Sequence, residues 1–249
     1  QQSFAGGLVG YQNDGSIRHS YATGPVEAPG SRESFAGGLA GYQGGGIIEY
    51  CYATGYVEAR SNSASFAGGL VGSQNSGIIN ACYASSYVSG FVYSNSPSPF
   101  SYCCAGGLVG ESLGSIGTSY ANSITTTSST DCLPYAGGLV GRTDGIISDC
   151  YALGSVSALQ NDSYYLFSSG GLVGNNVNGI IQRCFSACTI FGDDNRGGGL
   201  VGYQTESSAT IENCFWDIQI SGKDIGSNSN HGTLINVFGK TTAEMQQFN

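Results

Sequence analysis

The chain has 249 residues, 41 of them Gly, and only 10% are charged, where ordinary globular domains carry about 25%. Eight Lys and Arg against a net charge of −9 exclude a phosphate-tracking nucleic-acid surface and disfavour an anionic membrane surface. No run approaches the ~18 apolar residues of a membrane span, Gly lacks the every-third-residue spacing of collagen, and a 40% hydrophobic share separates the chain from disordered polymers.

The first element is Gly6-Gly7-Leu8, a tripeptide that returns at Gly37, Gly68, Gly106, Gly137, Gly170 and Gly198, at intervals of 31, 31, 38, 31, 33 and 28 residues. After each copy comes a short run such as Gly-Leu-Val-Gly-Tyr-Gln, and then an aliphatic residue: Ile17, Ile48, Ile79, Ile116, Ile147, Ile181 or Ile211. Three residues later stands Ser20, Cys51, Cys82, Ser119, Cys150, Cys184 or Cys214, followed by Tyr21, Tyr52, Tyr83, Tyr120, Tyr151, Phe185 or Phe215. The Gly-to-Ile distance stays at 11, 11, 11, 10, 10, 11 and 13 residues. The drift therefore falls mostly after the aromatic, and its largest excess lies between Gly90 and Tyr102. Fixed walls with one variable corner are the mark of a stacked coil.

No window carries an apolar stripe at helical period, and interior Gly opposes a helix by about 1 kcal/mol each. Short β-branched and aromatic runs between Gly, Asn and Ser predict two or three strands per repeat. Stacked coils set like over like about 4.8 Å apart. Two ladders follow, Leu8, Leu39, Leu70, Leu108, Leu139, Leu172 and Leu200, and the seven Ile. Leu8, Ile17, Ser20, Ala22, Val26 and their equivalents are expected inside, with Tyr21 outside. Ile and Cys are an odd number of residues apart, so a bend or bulge must intervene for both to face inward. The paired glycines are expected at a bend or at positive φ. The prediction is an all-β solenoid of about seven coils over residues 1–217. Residues 218–249 lack the marker and read as an irregular tail, cap or docking segment, with one short helix from Thr241 to Phe248.

The pattern Gly-Gly-Leu-Val-Gly … Gly-x-Ile-x-x-Cys-Tyr-Ala-x-Gly-x-Val resembles the GLUG repeat of bacterial surface proteins, most clearly in the copies beginning at Gly6, Gly37, Gly68 and Gly137. Cys214-Phe215-Trp216-Asp217 and the later Gly239 to Met245 look like the end of such an array; the sixth and seventh copies depart from it, with Ser169 and Gly197 in place of Ala and Phe in place of Tyr. The family occurs in large secreted proteins, including adhesins and the non-catalytic parts of IgA-cleaving metallopeptidases. The resemblance implies a right-handed β-solenoid on a bacterial surface, with no catalytic residue.

Zinc spacing is missing: Cys51 and Cys82 stand alone, Cys184/Cys188 has no second close pair, and only His19 and His231 could add imidazole. No metal or cofactor is expected. Asp193, Asp194 and Asn195, or Asn161 and Asp162, suit a turn better than calcium. The acids are scattered, and the aligned Glu27 and Glu58 read as solvated surface. The ladder cysteines read either as a small-residue stack or as vertical disulfides, Cys51 with Cys82 or among Cys150, Cys184 and Cys214. Cys132 with Cys103 or Cys104 is the preferred disulfide, a staple on the long third-copy loop; Cys188 has no evident partner. Asn161 heads the N-x-Ser/Thr sequon Asn161-Asp162-Ser163, and Ser123 to Thr130 is an O-linked candidate. The column Tyr21, Tyr52, Tyr83, Tyr120 and Tyr151 is a candidate binding face for glycans, set against a ladder that only stiffens the rod.

Nine Cys with few charges fit an oxidising, extracellular compartment. The chain opens on Gln1-Gln2-Ser3, without Met or a basic leader, and reads as a processed or excised segment. A full-strength repeat at the very start leaves an uncovered edge that invites association. The expected function is a non-enzymatic, extracellular structural protein that polymerises head to tail with itself. An adhesin contacting surface glycans or host or matrix proteins is the alternative, and a polysaccharide-active enzyme a distant third.

Overall fold

The computed structural model describes residues 1–93, 101–130, 132–160, 167–191, 197–229 and 231–248. The fold is an all-β solenoid of stacked parallel sheets, seven rungs high. The second rung shows the course of each: Glu33–Gly37 in sheet A, Ala40–Gln43 in sheet B, Ile47–Glu49 in sheet C and Tyr52–Ser61 in sheet D. A rung thus has four strands rather than two or three, because two separate corners break what the sequence offers as continuous runs. Sheets C and D join through the last rung, Thr210–Asp217. The residues between D and A hold most of the length variation, as the spacing predicts.

Register follows the repeat residue for residue, with Phe4 on Phe35 on Phe66, Ile48 on Ile79 on Ile116, and Tyr52 on Tyr83 on Tyr120. Backbone bonds run from rung to rung, as in Leu39 N–H to the Leu70 carbonyl at 2.9 Å and Leu70 N–H to the Leu108 carbonyl at 2.8 Å. Leu39 to Leu200 and Ile48 to Ile211 form the inner ladders, each at most 1% exposed. Leu8 is 51% exposed and Ile17 half-buried, because the first described rung has a neighbour on one side only. The Ala ladder of sheet A and Val57, Ala59 and Val88 of sheet D close a second, smaller core. Among the described residues no helix is long and apolar enough to cross a membrane.

Three glycines in each rung are required by close approach. A Cβ on Gly37 would lie 1.9 Å from the Ala40 carbonyl oxygen, one on Gly38 2.2 Å from that of Gly69, and one on Gly41 2.8 Å from the backbone of Ala5. The glycine pair marks the bend between sheets A and B, and Gly41 lets the two strands nearly touch. Positive φ falls elsewhere. It falls on Gly15, Gly46 and Gly77 between B and C, and on a non-glycine residue between C and D. His19, Tyr50, Ala81, Thr118, Asp149, Arg183 and Asn213 all sit at φ between 48° and 57°. This left-handed corner is the bend demanded by the odd Ile-to-Cys spacing, since it turns both side chains into the core.

Residues 218–249, read from sequence as an irregular tail, contribute a partial eighth rung. Thr233–Lys240 pairs in register with Thr210–Asp217, and Asn236 repeats the left-handed corner at φ 53°. Gly226 continues sheet B by accepting from Leu200 and Val201 at 3.0 and 2.8 Å. Trp216 stands in the register position of Ser186 and plugs the end of the main core, its indole N–H donating to the Lys223 carbonyl at 2.9 Å. Asp217 caps the helix Ile218–Ser221, and Thr241 with Glu244 forms a capping box on the helix Thr242–Met245, inside the segment expected to be helical.

Candidate functional site

The cysteine ladder has a structural task that the sequence does not announce. At each C–D corner the inward thiol or hydroxyl donates to the carbonyl two residues before it: Cys82 Sγ to Asn80 at 3.1 Å, Ser119 Oγ to Gly117 at 2.7 Å, Cys150 Sγ to Ser148 at 3.0 Å. The same atom accepts a backbone N–H from the rung before. Cys51 N–H reaches Cys82 Sγ at 3.4 Å, Cys82 N–H reaches Ser119 Oγ at 3.1 Å, and Ser119 N–H reaches Cys150 Sγ at 3.4 Å. The chain runs on through Cys184 to Cys214. A small side chain that both donates and accepts is what the left-handed corner needs, so Cys and Ser interchange there. The vertical disulfides are not formed; no sulfur–sulfur bond joins any of the nine cysteines, and all are buried. Burial pushes the Cys82 and Cys188 thiols up to about 12, well above an ordinary thiol.

Cys132 and Cys103 do meet, beside Val92, but as neighbouring thiols rather than as the expected disulfide. Cys103 Sγ instead donates to the Ser128 carbonyl at 3.6 Å and accepts from Ser65 Oγ at 3.3 Å. Cys104, the other expected partner, faces a separate aromatic cluster. Asn161, Asp162, Ser163, Asp193, Asp194 and Asn195 lie outside the described residues. Ser123 to Thr130 forms strand in sheet D up to Ser129, with Ser123, Thr125, Thr127 and Ser129 buried and therefore out of reach of a glycan. Glu27 and Glu58 align, but only Glu27 is exposed; Glu58 is buried against Tyr56 and Arg60, whose Nη2 lies 2.9 Å from its carboxylate.

The tyrosine column lies outside, as expected. Its rings stack on one another at 5.0, 4.9, 5.2 and 4.8 Å between centroids, within 6° of parallel, and the stack continues to Phe185 and Phe215. Each interior ring has both faces turned to its neighbours, so the column offers solvent mainly ring edges and phenol hydroxyls. Tyr21, at the start of the stack, is 62% exposed.

A second aromatic array was not singled out by the repeat markers. Phe4, Phe35 and Phe66 of sheet A stack at 4.8 and 5.0 Å, and Tyr11 and Tyr42 of sheet B stack at 4.9 Å. The two stacks meet edge to face, with Phe35 and Tyr42 at 5.5 Å and 87°. They form a third apolar cluster, apart from the two cores. The sequence carries a trace of it, a Phe two residues before the glycine pair in three successive repeats. Alternation predicts that such a Phe faces outward. What alternation does not show is that the bend at Gly37-Gly38 folds it against sheet B.

At the third and fourth rungs this array breaks. Ser73 stands in the register position of Tyr42, and Cys104 in that of Phe66. Here opens a cleft of about 330 Å³, lined by Phe35, Phe66, Tyr42, Ser73, Glu33 and Glu111 among others. Ser73 Oγ donates to Glu111 Oε2 at 3.4 Å, while Arg142 Nη1 donates to Glu111 Oε1 at 2.6 Å and its guanidinium lies 5.2 Å from the Tyr102 ring centroid. Burial raises the Glu111 carboxyl above the ordinary carboxylate value, against the pull of Arg142. Burial, Tyr11 and Glu111 raise the Tyr42 phenol.

Seven in-register rungs with inner Leu, Ile and Cys/Ser ladders define the class, a parallel β-solenoid repeat protein. The GLUG motif matches residues 5–27, 36–58 and 134–157, so the chain carries GLUG repeats. No curated protein matches it significantly.

Proposed function

We propose that this chain is a structural, extracellular rod whose rungs continue head to tail from one copy to the next. The observation that carries the reading is the match between its first and last described rungs. Through the ladder, Leu234 occupies the position of Ile17, Asn236 that of the corner residue His19, and Phe238 that of Tyr21. On the outer side of the last strand, Leu234, Ile235 and Phe238 are 50%, 43% and 57% exposed, and at the opposite end Leu8 and Tyr21 are 51% and 62% exposed. Open parallel edges of like register pair readily. Stacking one copy on another would continue the aromatic column, with Tyr21 of one copy following Phe238 of the other. The extracellular setting rests on the composition and on the secreted proteins that carry this repeat.

Sedimentation velocity of the purified chain and of a Leu234→Lys/Phe238→Lys variant tests the reading. The native chain is expected to grow in sedimentation coefficient with concentration, and the variant to stay monomeric with the same circular dichroism. A native chain that remains monomeric throughout the concentration series contradicts it.

A further inference from the structure

We propose that the cleft between sheets A and B at rungs one to four is a binding site for an organic ammonium cation. The repeat itself shows that something has been removed there. Tyr11 and Tyr42 fill this register position in the first two rungs, and Ser73 replaces them in the third. The missing ring leaves Tyr42 without its stacking neighbour on that side, and Cys104 does the same for Phe66. Two aromatic groups therefore border a cleft of about 330 Å³ that also reaches Phe4 and Tyr11 of the first rung.

The charges select the ligand. Two carboxylates, Glu33 and Glu111, line the cleft, and among the described residues its lining contains no Lys or Arg. An anion is disfavoured there: Glu111 is bonded to Arg142 and Ser73, while Glu33 accepts from the neutral Gln2 amide and has no ion-pair partner among the described residues. A cation over aromatic rings beside a carboxylate gains from the ring quadrupole and from the charge together. The protein already holds one cation in this way, next to the cleft. The Arg142 guanidinium packs over Tyr102 and bonds one oxygen of Glu111, while the other oxygen faces Ser73. An alkylammonium in the cleft repeats that arrangement, with Tyr42 and Phe66 in the part of Tyr102.

Isothermal titration with choline chloride, alongside its uncharged isostere 3,3-dimethylbutan-1-ol, tests the assignment. Choline is expected to bind saturably and about tenfold or more tightly than the isostere, the difference being the charge–quadrupole and carboxylate attraction. Ser73→Tyr, which restores the residue of the first two rungs, should abolish choline binding while leaving the melting temperature unchanged or higher. Absence of saturable choline binding overturns the proposal. Equal binding of the isostere also overturns it, since the cleft would then be merely apolar.

Discussion

Replacing Cys82 separates the hydrogen-bonding role of the inner thiols from their bulk. Cys82 is 2% exposed, accepts the Cys51 N–H at 3.4 Å and donates to the Asn80 carbonyl at 3.1 Å. Cys82→Ser keeps both bonds in a slightly smaller side chain, as Ser119 does one rung on, and is expected to change stability by no more than about 1 kcal/mol. Cys82→Ala removes the sulfur and orphans a buried backbone N–H. About 1 kcal/mol of lost burial and about 1–3 kcal/mol for the unsatisfied donor give a loss of roughly 2–4 kcal/mol. Cys82→Val fills the space without the bonds, and should lose about 1–3 kcal/mol. Guanidinium unfolding followed by far-ultraviolet circular dichroism, compared at equal m values, reads these differences. The reasoning fails if Cys82→Val equals the native protein, or if Cys82→Ser is as damaging as Cys82→Ala.

Two further outcomes follow from the same geometry. A Cβ at Gly69 would lie 2.0 Å from the Gly107 carbonyl oxygen and 2.8 Å from the Ala84 Cβ, whereas at Gly117 the nearest atom is a side-chain oxygen at 3.2 Å. Gly69→Ala should therefore destabilise by about 3 kcal/mol or more, and Gly117→Ala should be neutral or slightly stabilising in the same unfolding assay. The thiols set an alkaline limit. Burial lifts Cys82 from 9.0 to about 12, so the unfolded chain loses this proton at lower pH than the native one. The contribution is intact below pH 9 and is lost as pH rises towards about 12, so the melting temperature should be flat from neutral pH to about 8.5 and fall above 9. At pH 8 a thiol reagent should label the native protein far more slowly than the denatured chain, where all nine thiols react. Rapid native labelling would mean that the ladder is open to solvent.

The markers that repeat in the sequence are those whose partners are copies of themselves. Ile48 stacks on Ile79 and Tyr52 on Tyr83, so period alone locates them, and the odd Ile-to-Cys spacing already requires the corner at Tyr50. Features whose partners are unlike were not legible. Phe35 reads as an outward residue until the bend at Gly37 lays it against Tyr42. Cys82 reads as a small core residue or half a disulfide, because its bonds to the Cys51 N–H and the Asn80 carbonyl involve backbone that no side-chain pattern records. Glu58 reads as solvated from its alignment with Glu27, and is buried because Tyr56 and Arg60 fold over it. Thr233–Lys240 has no Gly-Gly-Leu before it, yet an edge strand needs only the register of the rung it joins.

Cryo-electron microscopy of the purified chain tests the end-to-end account most directly. Eight rungs at about 4.8 Å give a subunit repeat of roughly 38 Å. The account predicts filaments in which the 4.8 Å spacing runs unbroken across subunit boundaries, with Phe238 of one copy over Tyr21 of the next. Separate rods of one subunit length, at every concentration, would contradict it.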